Sequence, residues 1–252
     1  MEGDALELTT RINPQQNTER TSNMIECIVQ HAADAKEAEK LGVTRLELVS
    51  AIELGGLTPS YGTVHHVMNS VEIPVQVMIR PHPYGFMYRA EDKLAMKKDI
   101  SLLYEMGYKR IVIGALTEHK TIDTVFLDDL CSQFPDLDVT FHRAFDDTRN
   151  QIEAYRTLVP YRKNIKRILT SGGAADCTGG KDMLHELVQL QNALQGPNIL
   201  PGSGLGAENI ASLHEVIQAK EYHFGSGVRY NQSFEEGMDQ GKIARIRKAL
   251  SK

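Results

Sequence analysis

Eight short β-branched runs, each followed by a stretch with helical periodicity, constrain this chain more than any other feature. The runs are Met24–Val29, Arg45–Val49, Val75–Arg80, Arg110–Gly114, Asp138–Arg143, Lys166–Thr170, Asn198–Pro201 and Glu221–Phe224. Strands alternating with helices imply parallel pairing, because a parallel crossover needs a helix. Eight such units within 252 residues predict a single (β/α)8 TIM barrel. In that architecture the chemistry sits where strands end. Here the strand ends carry Glu26, Glu47, Arg80, His142, Arg143, Ser171 and His223, with two Gly-Ser-Gly turns.

No Pro/Gly/Ser-rich linker divides the chain, so residues 24–252 read as one domain. Residues 1–23 are polar, lack the apolar core of a signal peptide and read as a disordered or appended extension. No apolar run approaches the length of a membrane span. A net charge of −5 leaves no dominant basic surface for nucleic acid. The basic stretch Lys242–Lys248 reads as the solvated end of a last helix, Phe234–Leu250. Cys27, Cys131 and Cys177 are widely spaced and form no CxxC, so neither a disulfide framework nor a Cys-rich zinc site is expected. A cytoplasmic protein fits these features.

Strand alternation sharpens the candidates. Glu26 and Ile28 share a face, as do Glu47 and Val49, Met78 and Arg80, and Thr140 and His142. If these faces point inward, two carboxylates, a guanidinium and an imidazole meet inside the barrel, where Val, Ile and Leu are usual. One outcome is a structural ion-pair network of Glu26 or Glu47 against Arg80. The other is a site in which Glu26, Glu47 and His142 transfer protons while Arg80, Arg143 and Ser171 bind an anionic ligand.

The loops after the seventh and eighth strands read Gly202-Ser203-Gly204-Leu205-Gly206 and Gly225-Ser226-Gly227-Val228-Arg229. Barrels frequently bind phosphate at these positions. Gly202, Ser203, Gly204, Gly225 and Ser226 are therefore candidate ligand contacts, with Arg229 as an added cation; the alternative is that the glycines only make tight turns. His142 and His223 are also possible metal ligands. No HExxH or His-x-His spacing supports a sequence-local metal site.

At these residues the chain resembles the CutC copper-homeostasis family of (β/α)8 barrels. The resemblance covers about residues 24–230. It is carried by Thr140-Phe141-His142-Arg143-Ala144-Phe145-Asp146, Gly55-Gly56-Leu57-Thr58-Pro59-Ser60, Ile79-Arg80-Pro81, Leu169-Thr170-Ser171-Gly172, and Glu221 with His223. It implies the same barrel, a role in copper homeostasis, copper as a ligand, and a homo-oligomer. Family members often carry cysteines where this chain has Ile28 and Val49, and those thiols are the natural Cu(I) ligands. Cys27 stands next to the first position but on the opposite strand face. The loop after Pro81 departs too, reading His82-Pro83-Tyr84-Gly85-Phe86 in place of Arg-Gly-Gly-Asp-Phe.

Three readings follow. The first is a copper-homeostasis protein, with His142, His223, Met78 or Cys27 binding the metal without turnover. The second is a barrel enzyme or binding protein for a small anionic, phosphorylated metabolite. The third is a barrel kept as an interaction scaffold.

Overall fold

A computed structural model describes residues 23–251. The expected extension therefore lies, apart from Asn23, outside the described residues. Eight strands follow the alternation: β1 (Met24–Val29), β2 (Arg45–Leu48), β3 (Val75–Met78), β4 (Arg110–Ile113), β5 (Asp138–Phe141), β6 (Ile165–Thr170), β7 (Asn198–Pro201) and β8 (Glu221–Phe224). All seven ladders are parallel, in the order β7-β6-β5-β4-β3-β2-β1-β8. A parallel bridge between Gly202 and His223 closes β7 onto β8. The fold is the predicted (β/α)8 barrel.

The helices are α1 (Ala32–Lys40), α2 (Tyr61–Met68), α3 (Ala90–Glu105), α4 (Thr124–Gln133), α5 (Gln151–Leu158), α6 (Lys181–Leu194), α7 (Ile210–Ile217) and α8 (Gln240–Leu250). Side chains start several of them: Ser60, Asp123, Asn150 and Asp239 each accept from a backbone N–H in the first turn. The last helix begins six residues later than its composition suggests. Tyr230 N donates to the Gly237 carbonyl and Arg229 bridges Met238, which holds this segment as a loop until Asp239 caps α8. No helix among the described residues is long and apolar enough to cross a membrane.

The outward strand faces supply the main core. Ile25, Cys27, Val29, Leu46, Leu48, Val77, Ile79, Ile111 and Ile113 are buried beneath the helices. The interior of the barrel is polar instead. Arg45, Gln76, Asp138, Arg167, Asn198 and Glu221 form its lower layer. Arg45 pairs with Glu221 at 2.6 Å, Arg167 with Asp138 at 2.7 Å, and Gln76 Nε2 donates to Asp138 at 3.2 Å. Charges of opposite sign alternate there, which offsets much of the cost of burying so many, although Gln76 Oε1 and Arg167 Nε lack hydrogen-bond partners. Above this layer, Val49, Met78 and Val112 form a small apolar cluster with Ile28 and Ile52 against it.

Candidate active site

A cavity of about 480 Å³ opens at the C-terminal ends of the strands. One wall carries Glu47 from β2, Met78 from β3, and Arg80, His142 and Arg143 just beyond β3 and β5. The other is built by Ser203–Asn209 after β7, Gly225–Gly227 after β8, then Gln232, Phe234 and Lys242.

Glu47 is almost fully buried, and its Oε1 has no hydrogen-bond partner. Burial pushes its pKa up to about 7, against the pull of the nearby His223 charge. His223 stands between two carboxylates. Its Nδ1 lies 2.7 Å from Glu26 Oε1 and its Nε2 lies 3.8 Å from Glu47 Oε2. Burial opposes a charge on this ring, but Glu47 and Glu26 together raise its pKa above the ordinary imidazole value. Glu26 itself is completely buried, and burial also works against its charge. Arg45 and His223 nevertheless hold its carboxyl well below the usual carboxylate range.

His142 has the opposite character. Burial, and then the Arg80 charge, push its pKa down to about 3, so the ring is neutral. The Ala144 N–H donates to its Nδ1 at 3.1 Å. The proton of a neutral ring must therefore sit on Nε2, which is buried without a partner. Gly114 makes room for this arrangement: a Cβ there would lie 2.5 Å from His142 Nδ1.

Arg80 is held without a carboxylate. Its Nη1 donates to the carbonyls of Leu54, Gly55 and Gly56 at 3.1–3.3 Å, its Nη2 to that of Pro83 at 3.3 Å, and Phe86 lies 4.9 Å from the guanidinium. Its Nε is buried with no partner. The Phe86 ring also lies 4.9 Å from that of His142, so one aromatic side chain packs against both groups.

Several predicted site residues fall elsewhere. Glu26 does not line the cavity; it sits one layer lower, bonded to Arg45 and His223, and the structural alternative, an ion pair of Glu26 or Glu47 with Arg80, is not formed. Ser171 Oγ is taken by Asp146, Ala174 and Arg143, which turns it away from any ligand. Gly202 packs against Leu169 and His223 where the barrel closes. Arg229 is committed to Asp34 at 2.6 Å and to two carbonyls, so it is a structural cation. Cys27 corrects the metal expectation most clearly. It is fully buried on the outer strand face, and burial drives its thiol far above the usual range. His142 also fits poorly as a ligand, since its Nε2 bears the proton and its Nδ1 faces a backbone N–H. Arg143 reaches the cavity while paired with Asp146 at 2.8 Å. Ser203, Gly204, Gly225 and Ser226 line it.

Reading the sequence missed Lys242, Phe86 and Phe234. Phe86 belongs to a visibly aromatic loop, but Lys242 sits in a basic helix whose composition reads as solvated.

A family model described as the CutC family matches residues 23–228. A CutC protein of Pasteurella multocida is 34% identical over 210 residues, covering 82% of this chain and 84% of its own. The copper homeostasis protein cutC homolog of Dictyostelium discoideum is 35% identical over 227 residues, covering 80% and 81%. The solved CutC structure from Streptococcus agalactiae has a TM-score of 0.73 at 28% identity, covering 81% of this chain and 98% of that one.

Proposed function

The chain belongs to the CutC family, and from its own cavity we propose that it is an enzyme moving a proton next to a carbonyl group of a small anionic, phosphorylated metabolite. One observation carries this reading. Glu47 Oε1, His142 Nε2 and Arg80 Nε are all buried without partners, and their three side chains line one cavity. Buried polar groups are normally satisfied, and each orphan costs about 1–3 kcal/mol. Side chains of these three kinds around one cavity suit a ligand with a hydrogen-bond acceptor, an anionic group and a removable proton.

The chemistry follows from the ionisation of each group. A carboxylate with a pKa near 7 is half ionised at neutral pH, which suits a general base that must also return its proton. Glu47 takes a proton from the carbon beside the carbonyl. The electron pair moves to the carbonyl oxygen, which accepts the Nε2–H of His142. A neutral imidazole donor beside a carboxylate base is a known solution to this reaction, and it avoids an imidazolium that would itself lose the proton. Glu47 then returns the proton to the same carbon, or, where that carbon bears a hydroxyl, to the former carbonyl carbon after His142 gives its Nε2 proton to the enolate oxygen and takes the hydroxyl's proton in exchange. Arg80 holds an anionic group, and the loops after β7 and β8 take the phosphate. Glu26 and Arg45 keep His223 oriented beneath Glu47.

A copper reading comes with the family, whose Dictyostelium member is called a copper homeostasis protein homolog. The donors of this chain fit Cu(I) poorly. The thiolate positions are Ile28 and Val49, Cys27 faces away from the cavity, and Met78 is the soft side chain among the cavity's lining. Glu26, Glu47 and His223 bring ligand atoms within 4.8 Å of one another, but Glu26 is already bonded to both Arg45 and His223.

The test is hydrogen–deuterium exchange in D₂O, followed by NMR over phosphorylated aldoses, ketoses and 2-oxo acids. The expected result is enzyme-dependent exchange in one class, lost in Glu47→Gln. Absence of exchange in every class overturns the proposal.

A further inference from the structure

Besides His223, which stands between Glu26 and Glu47, two arginines and a lysine line the cavity, and they differ in how they are neutralised. Arg143 is paired with Asp146. Arg80 is set among four backbone carbonyls, the Phe86 ring and the Tyr88 phenol, and among the described residues it has no carboxylate partner. The Lys242 ammonium donates to the Arg229 carbonyl at 2.6 Å, an interaction that leaves its charge and two of its three N–H groups unmatched.

These two uncompensated cations stand on different walls. Arg80 follows β3, whereas Lys242 lies on α8, beyond β8. Two strands, β2 and β1, separate β3 from β8 around the barrel. Glu47 and His142 belong to the Arg80 wall, so the reacting carbon is close to the anionic group that Arg80 holds. Lys242 lines the cavity together with the loops after β7 and β8, and its ammonium donates to the Arg229 carbonyl just beyond β8. An ammonium is a compact point charge suited to phosphate, while the planar Arg80 guanidinium, which lines the cavity without a carboxylate partner, suits a ligand carboxylate. The carboxylate on the second wall, Glu208, is exposed and pairs with Arg245 at 2.8 Å at the surface.

We infer that the ligand is a phosphorylated carboxylic acid, with its carboxylate at Arg80 and its phosphate between Lys242 and the loops after β7 and β8. This deepens the reading of the cavity as a small-anion site and rests on it. It also assigns Lys242 a ligand-binding role that its helix conceals.

Calorimetric binding to the full chain tests it. The probes are 3-phosphoglycerate and 6-phosphogluconate, two spacings of the same pair of groups. Each is compared with its phosphate-free acid, glycerate or gluconate, and with its carboxylate-free phosphate, glycerol 3-phosphate or sorbitol 6-phosphate. One of the doubly charged probes should bind at least about tenfold more tightly than both of its truncated partners. Lys242→Met should bring that probe down to the affinity of its phosphate-free acid, and Lys242→Arg should restore the preference. The inference is overturned if neither doubly charged probe binds below about 1 mM, if neither exceeds its truncated partners, or if Lys242→Met keeps the preference for phosphate. Binding is read without turnover, so a failure here leaves the proton-transfer proposal standing, and absence of exchange there leaves this measurement interpretable.

Discussion

His223 meets Glu26 across 2.7 Å through its Nδ1, and this contact decides which ring nitrogen points at the cavity. A carboxylate that accepts the Nδ1 proton fixes the ring and leaves Nε2 toward Glu47. Since Glu47 and Glu26 raise the His223 pKa against burial, Glu26→Gln removes part of that support. The His223 pKa, read from imidazole ¹⁵N shifts, should fall in the variant. An unchanged titration would show that Glu47 alone sets the charge of the ring.

The pH dependence of stability separates two groups of the cavity, Glu47 and His142. The Glu47 pKa rises on folding from 4.5 to about 7, so its contribution is fully present below pH 4.5 and is lost as pH rises to about 7. The His142 pKa falls from 6.5 to about 3, so its contribution is present above pH 6.5 and is lost as pH falls toward 3. A tenfold change in proton affinity is worth about 1.4 kcal/mol, which gives upper limits of roughly 3 and 5 kcal/mol. The two slopes oppose each other between pH 4.5 and 6.5, and the wild-type curve should be flattened there. In chemical denaturation, Glu47→Gln should become more stable relative to wild type as pH rises from 4.5 to 7. His142→Gln should gain relative stability as pH falls from 6.5. Parallel curves for either variant would contradict the assigned ionisation.

Arg80→Lys keeps a positive charge yet should fail. Four carbonyls and the Phe86 ring are arranged around a planar guanidinium, and an ammonium cannot reach them all and still present a donor to the cavity. Affinity for 3-phosphoglycerate or 6-phosphogluconate, whichever the wild type binds, should fall by at least about tenfold, or 1.4 kcal/mol. Full affinity in the lysine variant would mean that charge alone is recognised there.

The barrel was legible because strand runs and crossover helices repeat in the sequence, and strand ends fell within a few residues of their places. The inward faces of Glu47, Arg80 and His142 followed from a period of two. What did not follow was pairing. Arg45 is the residue opposite Glu26 in the β1–β2 register, and that register is invisible without the barrel's stagger. Arg45, Arg167 and Glu221 lie at the starts of strands, where a search of strand ends does not look. Arg229 looked like a ligand for want of knowing that Asp34 reaches it from α1. Lys242 arrives from a helix after the last strand, so only the closed fold brings it to the cavity.

Copper binding offers an independent check of strand facing. Cys27 lies in the outer core, so Cys27→Ser should leave Cu(I) affinity and stoichiometry unchanged when titrated against a chromophoric chelator under anaerobic conditions. Its cost should be to stability, about 1–3 kcal/mol for a hydroxyl buried in an apolar shell. A lost copper equivalent would place the thiol on a metal and contradict the facing of β1.

The glycines after β7 and β8 can be divided by what a methyl group would meet. A Cβ on Gly227 would stand 2.0 Å from the Leu205 carbonyl oxygen, a backbone atom that cannot move aside. Gly227 is thus required for the two loops to pack against each other, whether or not a phosphate binds. A Cβ on Gly206 would meet its nearest neighbour, the Gly227 oxygen, at 3.4 Å, an ordinary contact. Gly227→Ala should therefore lower stability by roughly 1–3 kcal/mol or more, as overpacking does. Gly206→Ala should melt near the wild-type temperature. If phosphate lies against this loop, the added methyl of Gly206→Ala should weaken glycerol 3-phosphate binding while leaving glycerate binding intact. Equal affinities in Gly206→Ala and wild type would confine the role of these glycines to loop packing and move the phosphate away from the β7 loop.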